Sequence, residues 1–134
     1  MSGEKIKTNK GKKKVLIIDD DREFTNLLNS ALELHGDYEV CVENNPRQAV
    51  AAARKFVPDI IILDVVMPEA SGGEVHAQFK ADSVLKDIPI IFLTSIVEQK
   101  EVDKRGGVIG GLYYVAKPVS AGKLLRVIAE HLQP

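Results

Sequence analysis

The chain has 134 residues, with 45% hydrophobic and 28% charged side chains and a formal net charge of −1, the size and balance of one ordinary globular domain with a core of its own. A single cysteine, Cys41, excludes an internal disulfide and any paired-cysteine metal knuckle, so a reducing, cytoplasmic setting is expected, and no apolar run reaches the roughly 18 residues of a membrane span or forms the core of an export signal. The charge is uneven: residues 1–14 hold six lysines against one glutamate, net +5, and residues 15–134 hold 12 basic and 18 acidic groups, net −6.

Residues 1–13 have almost nothing to bury and read as a disordered basic tail, with the domain proper running from 14 to 134. Lysines with no interleaved aromatic or arginine favour a solvated tail over a contact with nucleic acid or a membrane surface. "KVLII" (14–18) reads as a buried strand, and the helix after it carries Phe24, Leu27, Leu28, Ala31 and Leu32 at helical spacing up to Gly36. "YEVCV" (38–42) alternates as a second strand. Asn45 as N-cap and Pro46 at the first helical position then open "PRQAVAAARKF", which Pro58 ends. Residues 59–64 form the third strand, 71–80 the third helix, 88–95 the fourth strand and 97–105 a short fourth helix. "GGVIGG" (106–111) reads as a flexible connection, "LYYVA" (112–116) as the fifth strand, and Ser120 as the cap of a last helix carrying Leu124, Leu125, Ile128 and Leu132.

Strands that alternate with helices and are apolar throughout predict an α/β domain, a doubly wound five-stranded parallel sheet between two helical layers. In such sheets ligands bind beyond the carboxyl ends of the strands. There the chain places Asp19 and Asp20 after the first strand, Asp64 after the third, Thr94 and Ser95 after the fourth, and Lys117 before Pro118 after the fifth. Each has an innocent alternative: Asp20 or Asp21 as a helix cap, Thr94 or Ser95 likewise, Lys117 as a surface lysine. As a set they do not, and Asp64 closing the buried run "IIILD" has no such explanation. Three converging carboxylates repel one another unless a hard cation or the lysine offsets them, and Mg2+ suits an all-oxygen site with positions left for phosphate.

Other phosphate-handling designs fail on the same residues. G-x-G-x-x-G after the first strand and G-x-x-x-x-G-K-[ST] are both absent. The D-x-D of haloacid dehalogenase phosphatases is broken by Val66, and His35, His76 and His131 are scattered on helical segments and read as surface residues rather than ligands.

The segments "VLIIDDD", "IIILDVVMPEASGGEV", "IPIIFLTS" and "YYVAKPV" together resemble the receiver domains of two-component response regulators, over about residues 14–132. The resemblance implies a flavodoxin-like (βα)5 receiver fold and a chemotaxis-regulator-like, stand-alone phosphoacceptor switch. Asp64 would accept a phosphoryl group from a histidine kinase or histidine phosphotransfer domain. Asp20 would ligate Mg2+ directly and Asp19 directly or through water, with the backbone carbonyl of Val66 completing the protein ligands. Thr94 and Lys117 would hold the phosphoryl oxygens, Tyr114 would be the switch aromatic, and Lys117-Pro118 would be a cis bond. Such a domain catalyses its own phosphorylation and dephosphorylation but converts no free metabolite, and its output is an unidentified protein partner. By the same resemblance Val66 and Ile96 tune dephosphorylation, and since neither can orient a water they predict a long-lived phosphoryl group. Two departures stand out: Ser95 where alanine is usual, and "RGGVIGGLYY" in place of the usual alanine-glycine-alanine-aspartate pattern. A relay intermediate, a terminal regulator and a domain of a hybrid kinase remain open. The alternative of another class is a phosphorylation-independent scaffold built on the receiver fold.

Overall fold

Four consecutive residues, Ile60 to Leu63, dictate the middle of the molecule, because each is wholly buried and a strand apolar on both faces needs a covering layer above and below. The computed structural model describes residues 11–35, 37–65, 72–94, 108–109, 112–117 and 119–132. In it, β1 (Lys13–Ile18) leads to α1 (Arg22–Leu34), β2 (Tyr38–Glu43), a 3₁₀ turn (Pro46–Gln48) that runs into α2 (Ala49–Phe56), and β3 (Ile60–Asp64). Then follow α3 (Gly72–Lys80), β4 (Ile90–Thr94), β5 (Val108–Ile109), β6 (Leu112–Ala116) and α4 (Ala121–His131).

The sheet order is β2-β1-β3-β4-β6-β5, which puts β3 between β1 and β4. The pairings from β2 through β6 are all parallel, giving the expected five-stranded sheet. Strand alternation divides the core in two. Val15, Ile17, Ile60 and Ile62 pack under Leu28 and Leu32 of α1 and Leu124, Val127 and Ile128 of α4. On the other face Leu16, Ile18, Ile61 and Leu63 pack under Ala49 and Ala53 of α2 and Val75 and Phe79 of α3. Each fully buried aliphatic stabilises the fold by about 1.5–3 kcal/mol, and truncating one, Ile62→Ala for instance, costs about 2–5 kcal/mol once the cavity is included.

The caps follow the sequence. Asp21 caps α1 by accepting from the Phe24 N–H at 3.1 Å, Asn45 caps the turn at Pro46 by accepting from Arg47 at 3.0 Å, and Ser120 caps α4 by accepting from Lys123 at 3.1 Å. Several features differ from expectation, among them the start of β4, which is Ile90 rather than residue 88. The first turn after Asn45 is 3₁₀, so the α-helix starts at Ala49 rather than at Pro46. β1 begins one residue early, at Lys13, because its N–H bonds the Asp37 carbonyl at 3.1 Å and its Cα pairs with Tyr38. Within "GGVIGG", read as a connection, Val108 and Ile109 form a sixth strand antiparallel to β6, pairing with Tyr113 and Leu112. Val108 and Ile109 are β-branched, and pairing along the edge of β6 makes them a strand. The tail residues 1–10, the helix stop Gly36, Ser71, the helix expected at 97–105, and Pro118 with its cis bond lie outside the described residues.

His35 is exposed. His76 is half-buried with its ring edge-on to Phe92 at 5.2 Å, and burial, followed by the charge of Lys80, lowers its pKa. His131 stacks edge-on against Tyr113 at 4.4 Å. Two of the three histidines therefore serve packing rather than lying open at the surface.

Candidate functional site

Parallel register carries the ends of β1, β3 and β4 to one rim. Ile18 pairs with Leu63 and Asp64 with Leu93, so Asp19 follows directly beside Asp64, and Thr94 pairs with Ala116, which precedes Lys117. Asp19, Asp20 and Asp64 each present one carboxylate oxygen, and these three oxygens lie within 4.8 Å of one another. Asp19 is wholly buried, Asp64 is 5% and Thr94 2% exposed, and Asp20 stands exposed at the mouth.

Lys117 reaches over this rim. Its Nζ donates to Asp19 Oδ2 at 2.7 Å and stands 3.7 Å from Asp64 Oδ1, while its backbone N–H donates to the Thr94 carbonyl at 2.6 Å. Its ammonium also lies over the Phe24 ring at 4.8 Å. Burial alone would lower the Lys117 pKa, but the hydrogen bond to Asp19 and the charges of Asp19, Asp64 and Asp21 outweigh it, so the pKa is raised and the group stays cationic. One ammonium cannot neutralise three carboxylates, and an oxygen-only donor set of this size fits a hard divalent cation. Asp19 has its Oδ1 occupied by the Asp21 N–H at 3.0 Å and its Oδ2 by Lys117.

The five residues expected to act together, from four distant segments, are therefore adjacent: Asp19, Asp20, Asp64, Thr94 and Lys117. Tyr114 lies two residues before Ala116, the partner of Thr94, on the α2–α3 face of β6, stacked on Phe92 with ring centres 5.1 Å apart. Val66, Ser95 and Ile96 lie outside the described residues.

One polar residue at the rim escaped the sequence reading. Asn44, at the end of β2, donates from Nδ2 to the Asp19 carbonyl at 2.7 Å and to Thr25 Oγ at 3.0 Å, and its Oδ1 accepts from Arg22 at 3.3 Å. The signal available in the sequence is its position, at the end of the second strand, where the other four expected strand ends carry Asp19-Asp20, Asp64, Thr94 and Lys117. A cleft of about 510 Å³ between β2 and α2, lined by Cys41, Glu43, Lys55 and Phe56 among others, shares no residue with the acidic rim. Burial pushes the Cys41 thiol up in pKa, and Glu43 and Glu39 push it further, which leaves it a poor nucleophile.

Residues 15–129 match the family model described as the response regulator receiver domain. The chain is 32% identical over 121 residues to the polar-differentiation response regulator DivK of Brucella anthropi, covering 90% of this chain and 96% of that protein. It is 34% identical to protein PilH of Pseudomonas aeruginosa, covering 86% and 93%. Against the phosphate regulon transcriptional regulatory protein PhoB of the same organism it is 37% identical but spans only 48% of that relative's length. Among solved structures, chemotaxis protein CheY4 of Vibrio cholerae superposes with a TM-score of 0.75 at 30% identity, covering 89% of this chain and 98% of that one. Among the described residues no helix is long and apolar enough to cross a membrane.

Proposed function

The chain belongs to the response regulator receiver domain family of two-component signalling, and from that premise we propose that it is a phosphoacceptor switch whose acceptor is Asp64. The observation that carries this reading is the position of Asp64: a carboxylate 5% exposed at the end of the rigid β3, with two further carboxylates within 4.8 Å and an ammonium at 3.7 Å. A structural aspartate in such a place would be paired one to one. Among the described residues negative charge here is in excess, as a site for a cation and a transferring phosphoryl group requires.

In this reading an Asp64 carboxylate oxygen attacks the phosphorus of a phosphohistidine and the phosphorus–nitrogen bond breaks, leaving the group on Asp64. Asp20 and Asp64 would hold Mg2+ directly, Asp19 directly or through water, and by the family resemblance the Val66 carbonyl would complete the protein ligands. Bound Mg2+ would offset charge on the phosphoryl oxygens. Lys117 moves its ammonium from Asp64 onto one of those oxygens, a short step from 3.7 Å, while its bond to Asp19 keeps it in place. Thr94 donates its hydroxyl to another. Phe92, the neighbour of Thr94 by two positions on β4, carries the Tyr114 ring, so a shift of β4 toward the phosphoryl group changes what supports Tyr114. The phosphodonor is a histidine kinase or a histidine phosphotransfer domain, and the readout is a downstream protein. Val66 and Ile96 cannot hold the attacking water of hydrolysis, which makes autodephosphorylation slow.

Incubation of the chain with radiolabelled acetyl phosphate and Mg2+ tests the proposal. Label stable to base-free gel separation on wild type and absent from Asp64→Ala is expected. Equal labelling of the two overturns it. The lifetime is read separately from decay of the label, with Val66→Asn/Ile96→Glu expected to lose it faster.

A further inference from the structure

Asp19 has a neighbour on each side in the sheet. Its N–H donates to the Glu43 carbonyl at 3.2 Å, so the residue after Glu43 is brought against the start of the acidic loop just as Asp64 is from the other side. We propose that this residue, Asn44, is a positioning residue that holds the cation-binding loop in its binding conformation, an inference that rests on the phosphoacceptor reading above.

The bonding of the Asn44 amide is complete and specific. One Nδ2 hydrogen goes to the Asp19 carbonyl, the other to Thr25 Oγ, and Oδ1 takes the Arg22 guanidinium. Thr25 is wholly buried, and its hydroxyl donates to the Arg22 carbonyl at 3.1 Å. The amide thus ties the peptide just before Asp20 to the first turn of α1 just after it, and the bend carrying Asp20 is gripped at both ends. Only a side chain with two donors and an acceptor does this. Aspartate in the same place would lack both donors and aliphatic residues all three groups.

The grip matters because of what Asp20 faces. It is the exposed member of the acidic triad, with a carboxylate oxygen within 4.8 Å of one from Asp19 and one from Asp64, and among the described residues no hydrogen bond holds its side chain inward. Repulsion favours a bend that swings it toward solvent. A loop free to do so must be reordered when the cation binds, and affinity falls by the fraction of time the loop is out of place. Groups that orient metal ligands without touching the metal typically account for about 10-fold or more of affinity.

The test is a Mg2+ titration of the full chain, by calorimetry, for wild type, Asn44→Ala and the near-isosteric Thr25→Val, with thermal melts of each. The expected result is a Mg2+ dissociation constant raised about 10-fold in Asn44→Ala and less in Thr25→Val, with the acetyl phosphate labelling rate at saturating Mg2+ falling by less than the affinity does. Affinities within twofold of wild type in both variants overturn the proposal while leaving the phosphoacceptor reading intact. Equal falls in affinity and saturating rate, accompanied by a lowered melting temperature, overturn it in favour of general destabilisation. If Asn44→Ala does not fold, Thr25→Val decides. Wild type that binds no Mg2+ overturns the phosphoacceptor reading itself.

Discussion

The two rims of the sheet treat charge in opposite ways. At the amino-terminal rim, charged groups are each satisfied by a hydrogen bond: Arg54 Nε donates to Asp82 Oδ2 at 2.6 Å, the Lys14 N–H donates to Asp59 Oδ2 at 2.8 Å, and Lys14 Nζ donates to the Phe56 carbonyl at 3.0 Å. At the carboxyl-terminal rim three carboxylates gather within 4.8 Å, and the Lys117 ammonium bonds Asp19 and stands 3.7 Å from Asp64. The first arrangement satisfies each group and adds to stability; the second leaves repulsion in place until something binds. Stability and binding thus draw on different ends of the same strands, the usual division when a site is built at the cost of local stability.

The strongest way to break this comparison is to remove charge from the binding rim. Asp64→Asn keeps the side-chain shape, removes the nucleophile and relieves repulsion with Asp19 and Asp20, while Lys117 keeps its 2.7 Å bond to Asp19. Phosphoryl labelling should fall to background while the melting temperature stays level or rises. A melting temperature well below that of wild type would mean that the Asp64 charge stabilises the apo fold, and the division between the rims would not hold.

The same operation at the other rim should do the reverse. Asp82, 8% exposed, accepts from the Val84 N–H at 2.8 Å, the Leu85 N–H at 3.2 Å and Arg54, so it caps the turn leading to β4 and ties it to α2. The Val84 amide first, then the Arg54 hydrogen bond, hold its carboxyl below the ordinary value of 3.8 against the opposing effect of burial. A group with a depressed folded pKa contributes fully above the unfolded value and loses that contribution as pH falls through the folded one. Asp82→Asn should therefore be less stable than wild type at neutral pH, with the gap closing below about pH 4, and Mg2+ affinity should not change. Denaturant melts across pH check this; a gap independent of pH would assign the loss to packing rather than to the carboxylate.

The difference between the rims also explains what could be read from the sequence. The binding rim was readable because its residues violate the local pattern: Asp64 closes an apolar run, and Asp19-Asp20 closes another. Asn45 and Ser120 were readable as caps because a cap is a local event within three residues of sequence. Asn44 and Asp82 were not, because each acts across the fold, Asn44 on a peptide 25 residues away and Asp82 on an arginine 28 residues away. A polar residue in a connection looks the same in sequence whether it faces water or a buried carbonyl. Val108–Ile109 was missed for a different reason: four flanking glycines outweigh two β-branched residues in any propensity argument, and only the β6 edge beside them makes a strand.

The smallest effect tests whether the amino-terminal rim is as well satisfied in its backbone as in its charges. Val57 follows α2 with φ at 51° and ψ at 68°, a left-handed conformation in which a β-branched side chain is strained, and its N–H closes the helix by donating to the Ala53 carbonyl at 2.7 Å. Glycine is the usual residue at such a helix end, and the left-handed region costs an L-residue roughly 1–2 kcal/mol. Against that gain stand the larger unfolded-state entropy of glycine, roughly 0.4–1 kcal/mol, and the loss of a side chain that is already 50% exposed. The strain is the larger quantity, so Val57→Gly should stabilise the fold by up to about 1 kcal/mol. Val57→Asn, which tolerates the conformation without the glycine entropy, should do at least as well. Mg2+ affinity and labelling rate should not move, because Val57 sits at the end of the strands opposite Asp64. Urea melts of the two variants give the answer. A loss of stability in both would mean that packing of the valine methyls outweighs the strain, and that this rim too holds a local conflict its surroundings compensate.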